Sequence, residues 1–306
     1  MTAAENDSAG LESVKTTTTA PLDDEGARLL AELNAVQGTS TQDAAPDDAD
    51  AVHFTPRAFI EYALSLHGRT LDDARLPSTL VATFHAPIYR DLLAATSAEQ
   101  APQTPPDVMN VSVGKVGEHP VALRKLGIGA PAAVATLEEL IALGVRDILI
   151  VGTGGSLHPG LPIGSFIVPT GAIREDGTSF HYAPAGAELA PDPALAQALA
   201  EAVVALGGVV TFGSVWTTDA PYRETQSKIA AYSALGALAV EMEAAALFAL
   251  AQHRGVRLGL LLAVSDELFH EWRPGFHHAE LRAAQKVMAQ AALQVAASLA
   301  AQPAGE

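Results

Sequence analysis

The chain has no cysteine among its 306 residues. That absence removes disulfides, thiolate metal ligands and a cysteine nucleophile together. Basic residues are also scarce, 18 Lys and Arg against 35 Asp and Glu, giving a net charge of −17. Such a surface argues against nonspecific binding to nucleic acid or an anionic membrane, but leaves room for a small anion in a local pocket. No apolar run approaches the roughly 20 residues needed to cross a bilayer, and the polar, acidic first ten residues do not resemble a signal peptide. A soluble, cytoplasmic protein is the expectation.

The acidity is uneven. Residues 1–50 hold eleven acids against Lys15 and Arg28, a balance of −9 that leaves −8 for the remainder. That segment, with Thr16-Thr17-Thr18-Thr19, Asp23-Asp24-Glu25 and Asp47-Asp48-Ala49-Asp50, has too few aromatics to repay the entropy of ordering. It reads as a disordered acidic extension with room for a short helix over 27–35. Residues 51–306 read as a single α/β domain, large enough to bury a sizeable core. Strand-like runs fall at 80–84, 111–113, 120–126, 147–151, 164–169, 209–215, 237–240 and 258–264. Several are continuously apolar, as central strands covered on both faces should be. Helical patterns at 131–143, 193–206, 224–234, 244–252 and about 276–300 alternate with them. The fold class is therefore α/β, with a central mixed sheet between two helical layers. Ligands of such folds gather at the carboxyl ends of strands, where Gly152, Glu241 and Asp266 fall.

Against this apolar background, Val240-Glu241-Met242-Glu243-Ala244 places two carboxylates at a strand-to-helix junction. Buried charge is expensive, so carboxylates in such a run usually hold something specific. In extended backbone Glu241 and Glu243 share one face and Met242 takes the other, an arrangement suited to a vicinal diol. The competing reading is that both acids favour the positive end of the following helix.

Four further segments carry chemistry. Gly152-Thr153-Gly154-Gly155-Ser156, read as a glycine loop after the strand 147–151, lets backbone N–H groups and the Thr153 hydroxyl approach an oxyanion or a sugar; a tight turn is the alternative. It lacks the Gly-Lys-Ser/Thr of a Walker loop and the following helix of a dinucleotide fingerprint. Gly127-Ile128-Gly129-Ala130-Pro131 leads into a helix. Trp216 to Thr225, containing Tyr222, Arg223 and Glu224, mixes aromatic faces with a cationic fork and suits a flat heterocycle, or else a helix start capped by Thr218 or Asp219. Asp266, in Val264-Ser265-Asp266-Glu267, is placed to donate a proton to a leaving group or to cap a turn.

Taken in order, these segments resemble the nucleoside phosphorylase superfamily of uridine phosphorylases, hexameric purine nucleoside phosphorylases and methylthioadenosine nucleosidases. The resemblance rests on Gly152-Thr153 with Gly155, the run 168–182, Val240-Glu241-Met242-Glu243-Ala244 and Ser265-Asp266, and spans about residues 111–264. It implies a cofactor-free and metal-free phosphorolysis of a ribonucleoside, purine or uridine, to free base and ribose 1-phosphate, by a homo-oligomer built as a dimer or a trimer of dimers. Gly152, Thr153 and Gly154 would then contact phosphate, with Thr153 also on the sugar. Met242 would pack on the ribose, Glu243 would hold its hydroxyls with Glu241 in support, and Gly155, Tyr222, Arg223, Glu224 and Asp266 would serve the base. Asp266 matches the acid that purine-specific members direct at N7. The alternatives are a nucleosidase using water and a nonenzymatic nucleoside-binding protein. Two features depart from the pattern: the family's N-terminal Gly-Asp-Pro segment is replaced by His85-Ala86-Pro87, and the Arg two residues before the glycines by Ile150. Arg90, Arg124, Lys125, Arg223 or a neighbouring subunit's Arg are the candidate replacements.

Overall fold

The computed structural model describes Arg28, residues 52–105 and residues 109–300. Apart from Arg28, the acidic segment 1–50 and its expected short helix lie outside the described residues. The elements run α1 (Pro56–Ser65), β1 (Thr79–Thr83), α2 (Ala86–Thr96), β2 (Glu99–Gln100), β3 (Ser112–Val116), β4 (His119–Lys125), α3 (Ala130–Ala142), β5 (Asp147–Ser156) and β6 (Phe166–Arg174). They continue with α4 (Pro193–Ala205), β7 (Val210–Thr217), α5 (Gln226–Ala234), β8 (Ala237–Glu241), α6 (Ala244–Arg254), β9 (Arg257–Glu267), β10 (Arg273–Pro274) and α7 (Ala279–Ala300).

The ten strands of the described residues join one mixed sheet in the order β10-β9-β6-β7-β8-β5-β1-β4-β3-β2. An additional β9–β5 pairing closes β5, β9, β6, β7 and β8 into a ring. Helices α2, α4 and α7 pack together on one side, α1, α3 and α6 on the other, which makes three layers. β5 lies at the centre: Ile148, Leu149, Ile150 and Val151 are fully buried, and α6 is buried along most of its length. Ion pairs fasten the layers laterally, Arg254 to Glu138 between α6 and α3 and Arg282 to Asp91 between α7 and α2, each through two bonds of 2.7–3.0 Å.

Two local expectations are corrected. Residues 152–156 are not a loop; they continue β5, held by β9 through Ser156. The cap of α5 is Thr225, whose hydroxyl accepts from Lys228 N, whereas Thr218 turns to Ala220 N and Asp219 accepts from Gly177 N.

The extension of β5 creates the geometry that matters. β1 runs parallel to β5 only as far as Thr83 opposite Val151, and β8 joins the same edge, antiparallel, at Gly155 opposite Val240. Between those contacts Gly152, Thr153 and Gly154 have no strand partner on that edge among the described residues. Gly154 is required by the approach of β8, because a Cβ there would lie 2.9 Å from the Val240 carbonyl oxygen. This fork, where two neighbours of one strand diverge at its carboxyl end, is where open α/β sheets collect ligands.

Candidate active site

A cavity of about 650 Å³ opens at the fork, lined by Thr153, Gly154 and Gly155 of β5, the junction Glu241-Met242-Glu243, Ser265 and Asp266 of β9, and Tyr222 and Glu224. Phe84, His85, Ile128, Gln226, Trp272 and Phe276 complete much of its wall. Of the residues expected at a site, Gly152 and Arg223 do not border this cavity. A Cβ at Gly152 would face Leu262 and Phe84, and Arg223 lies exposed on a short 3-10 turn.

The two carboxylates of the junction take different protein partners. Glu241 ends β8 and turns to the start of α6. Its Oε2 accepts from the N–H groups of Glu243 and Ala244, both at 2.7 Å, and its Oε1 accepts from the Thr217 hydroxyl at 2.5 Å. It satisfies amides that the first turn of a helix leaves without partners. Glu243 reaches instead toward the loop before α3, where its Oε1 accepts from Gly129 N at 2.6 Å. Gly129 has φ +98°, a conformation suited to glycine, so the loop presents its amide at little steric cost. The Met242 amide also acts on this carboxylate, which stands at the cavity wall. Burial raises both carboxyls, and the Glu241 charge raises Glu243 further.

At the other end, Asp266 accepts from its neighbour Ser265 at 2.7 Å and from the Trp272 indole N–H at 2.9 Å. Ser265 also reaches the Gly154 carbonyl at 3.2 Å, tying β9 to β5. Glu224 has no hydrogen-bond or ion-pair partner among the described residues. Burial, then the charges of Asp266 and Glu175, raise it to about 7, against the pull of Lys228. Lys228 itself is bonded to Glu175, which also accepts from the buried Trp216 indole.

A second cavity of about 400 Å³ adjoins the first, sharing His85, Thr153, Ser265 and Phe276 with it. Its charged and imidazole lining consists of His85, Arg90, His277, His278 and Arg282, with no carboxylate. His85 is the N-cap residue of α2, but its ring makes no capping bond; Nε2 lies 3.0 Å from Thr153 Oγ1 on the boundary between the cavities. Burial, then the Lys125 charge, hold its pKa below the ordinary value, which favours the neutral ring. Arg90 has no acidic partner among the described residues, whereas Arg282 is paired with Asp91. Pro87 in the first turn of α2 and Leu281 and Arg282 in the first turn of α7 place two positive helix ends at this cavity. His85, His277, His278 and Arg282 were not singled out from sequence, although the departure from Gly-Asp-Pro at 85–87 marked the first of them. Arg124 and Lys125 do not border it, and no group of three or more potential metal ligands occurs among the described residues.

A family profile described as the phosphorylase superfamily matches residues 86–301. A uridine phosphorylase of Treponema pallidum is 38% identical over 162 residues, 49% of this chain and 63% of the relative. A guanosine phosphorylase of Halorubrum lacusprofundi is 35% identical over 142 residues, 46% of this chain and 59% of the relative. The alignments thus span about six tenths of the length of these curated relatives. Among solved structures, the purine nucleoside phosphorylase of Toxoplasma gondii in complex with immucillin-H superposes with a TM-score of 0.68 at 23% identity, covering 77% of this chain and 95% of that one, a likeness of fold.

Proposed function

The chain belongs to the phosphorylase superfamily, and we propose that it is a pentosyltransferase that cleaves a ribonucleoside, purine or uridine, with inorganic phosphate to give free base and ribose 1-phosphate. The observation that carries this reading is the pair of cavities meeting at Thr153: one carboxylate-lined and partly apolar, the other cationic. In this reading the ribose lies on Met242, with its hydroxyls donating to the Glu243 carboxylate, while Glu241 holds the junction in shape. Phosphate sits in the cationic cavity against Arg90, the two helix ends and the Thr153 hydroxyl. Its oxygen bonds to C1′ as the C1′–N bond breaks, and the base departs toward Asp266, which stands to contact N7 of a purine. Positive charge developing on the sugar is met by the carboxylates around it, so the work done by the protein is positioning and charge stabilisation. No metal or organic cofactor enters this scheme.

Neutral His85 on the boundary favours one competing reading, in which it takes a proton from water and the enzyme is a nucleosidase. Incubating the full chain with guanosine, inosine and uridine, with and without phosphate, separates the two. Base release that requires phosphate is expected, and equal rates without it would overturn phosphorolysis. Binding without release of base would instead support a nonenzymatic nucleoside-binding protein. The same reading carries assembly as a dimer or trimer of dimers; a monomer in light scattering opposes it.

A further inference from the structure

After β9 the chain turns back on itself, and β10 fixes where it goes, with Arg273 opposite Glu267 and Pro274 opposite Asp266. Gly275 N then donates to the Ser265 carbonyl at 3.0 Å, and a Cβ on Gly275 would lie only 2.7 Å from that oxygen. Arg273 also bonds the Glu267 carboxylate through its side chain. This strap carries Trp272 to the cavity wall, 61% exposed, where its indole N–H donates to Asp266 Oδ2 at 2.9 Å.

The two oxygens of Asp266 therefore meet different partners. Oδ2 meets an indole N–H, which can only donate. Oδ1 meets the Ser265 hydroxyl at 2.7 Å, and that hydroxyl has one proton and a second acceptor, the Gly154 carbonyl, 3.2 Å away. With its proton turned to Gly154, the Ser265 oxygen can accept one from Oδ1; the indole offers Oδ2 no such exchange. We propose that Trp272 is a positioning residue for the departure of a purine: it fixes Oδ2 as the carbonyl oxygen of Asp266, so that Oδ1 carries the proton given to N7. This rests on the reading of the cavity as a purine nucleoside site. In the step itself the Oδ1 proton passes to N7 as the electron pair of the C1′–N9 bond goes to the base. The base leaves neutral and Asp266 is left as a carboxylate, to which the indole bond becomes charge-assisted and stronger. Without the indole the carboxyl is free to turn about its last bond, and a proton donor misplaced by about 1 Å costs about a hundredfold.

The test compares the full chain, with phosphate, as wild type, as Trp272→Phe, which keeps a ring and loses the N–H, and as Trp272→Gln, which restores an N–H donor. The substrates are inosine and 7-methylinosine. The second carries a methyl group and a positive charge at N7, so its base leaves neutral without receiving a proton. Trp272→Phe should lower kcat for inosine by about tenfold to a hundredfold with KM little changed, and lower kcat for 7-methylinosine much less. Trp272→Gln should recover part of the inosine rate, and both variants, altered at an exposed side chain, should melt near wild type. Equal losses on both substrates, or an unchanged inosine rate, overturn this inference and leave phosphorolysis standing, as does a wild type that releases base from uridine but not from inosine. Inosine cleavage at the same rate without phosphate removes phosphorolysis and keeps the role of Trp272, because the leaving base needs the same proton whatever attacks C1′. No base release from any nucleoside overturns both.

Discussion

Replacing Glu243 with Gln is the most direct probe of the sugar end. The side chain keeps its shape, and its carbonyl oxygen can go on accepting from Gly129 N, now 2.6 Å from Oε1. What changes is the other atom, which becomes an amide N–H₂ facing hydroxyls that are proposed to donate to it. A hydrogen bond to a charged acceptor contributes about 1.5–3 kcal/mol, and each 1.4 kcal/mol is about tenfold in rate. The variant should therefore lose about 10- to 150-fold in kcat/KM for a ribonucleoside. Base release under saturating phosphate, followed spectrophotometrically, gives the number. The same assay with the 2′-deoxyribonucleoside supplies a control: wild type should discriminate against it, and Glu243→Gln should discriminate much less. Stability should move the opposite way. Burial and the Glu241 charge raise the Glu243 carboxyl, so the folded chain keeps this proton to higher pH than the unfolded chain. Its contribution to stability therefore declines as pH rises from the ordinary carboxylate value through the raised one. The neutral Gln removes that decline, and the variant should melt no lower than wild type at pH 8. Full activity on the ribonucleoside, or unchanged discrimination against the deoxy form, would refute the assignment of Glu243 to the diol.

Arg90→Ala removes an exposed guanidinium from the cationic cavity, and should raise the KM for phosphate about tenfold or more while leaving the melting temperature in place; an unchanged phosphate KM would move the anion elsewhere. Gly154→Ala forces a methyl to 2.9 Å from the Val240 carbonyl oxygen, so it should cost about 1–3 kcal/mol, a fall of roughly 2–12 °C in thermal melting for a chain of this size. A wild-type melt in that variant would mean that β8 yields readily at the fork.

The sheet was readable because its central strands are continuously apolar: 148–151 and 258–264 form buried parts of β5 and β9. The extension of β5 through Gly152-Thr153-Gly154-Gly155 was not, since glycine carries no strand preference and the extended backbone there is imposed by β9 across ten paired positions. Glu241 and Glu243 stand out in the sequence as charge in an apolar run, and the helix-end alternative stands with them, but the contacts of Glu241 with two amides and a hydroxyl are visible only in the structure. The cationic cavity was largely hidden. His85 and Arg90 lie almost 200 residues from His277 and Arg282, and nothing local to either stretch reveals that the starts of α2 and α7 converge. The departure from Gly-Asp-Pro falls at 85–87, and His85 and Pro87 line that cavity.

The fork in β5 has a thermodynamic side. A strand edge interrupted for three residues is an incomplete ladder, with no neighbouring strand to pair it on that side among the described residues. A ligand seated there would act as a short piece of substitute strand, bridging the gap between β1 and β8. Occupancy would then be felt as cohesion of the sheet, joining the half of the molecule led by β1 to the half led by β8. The loops around the opening can change their side chains freely without abolishing that vacancy, because it is written into the order in which the strands meet.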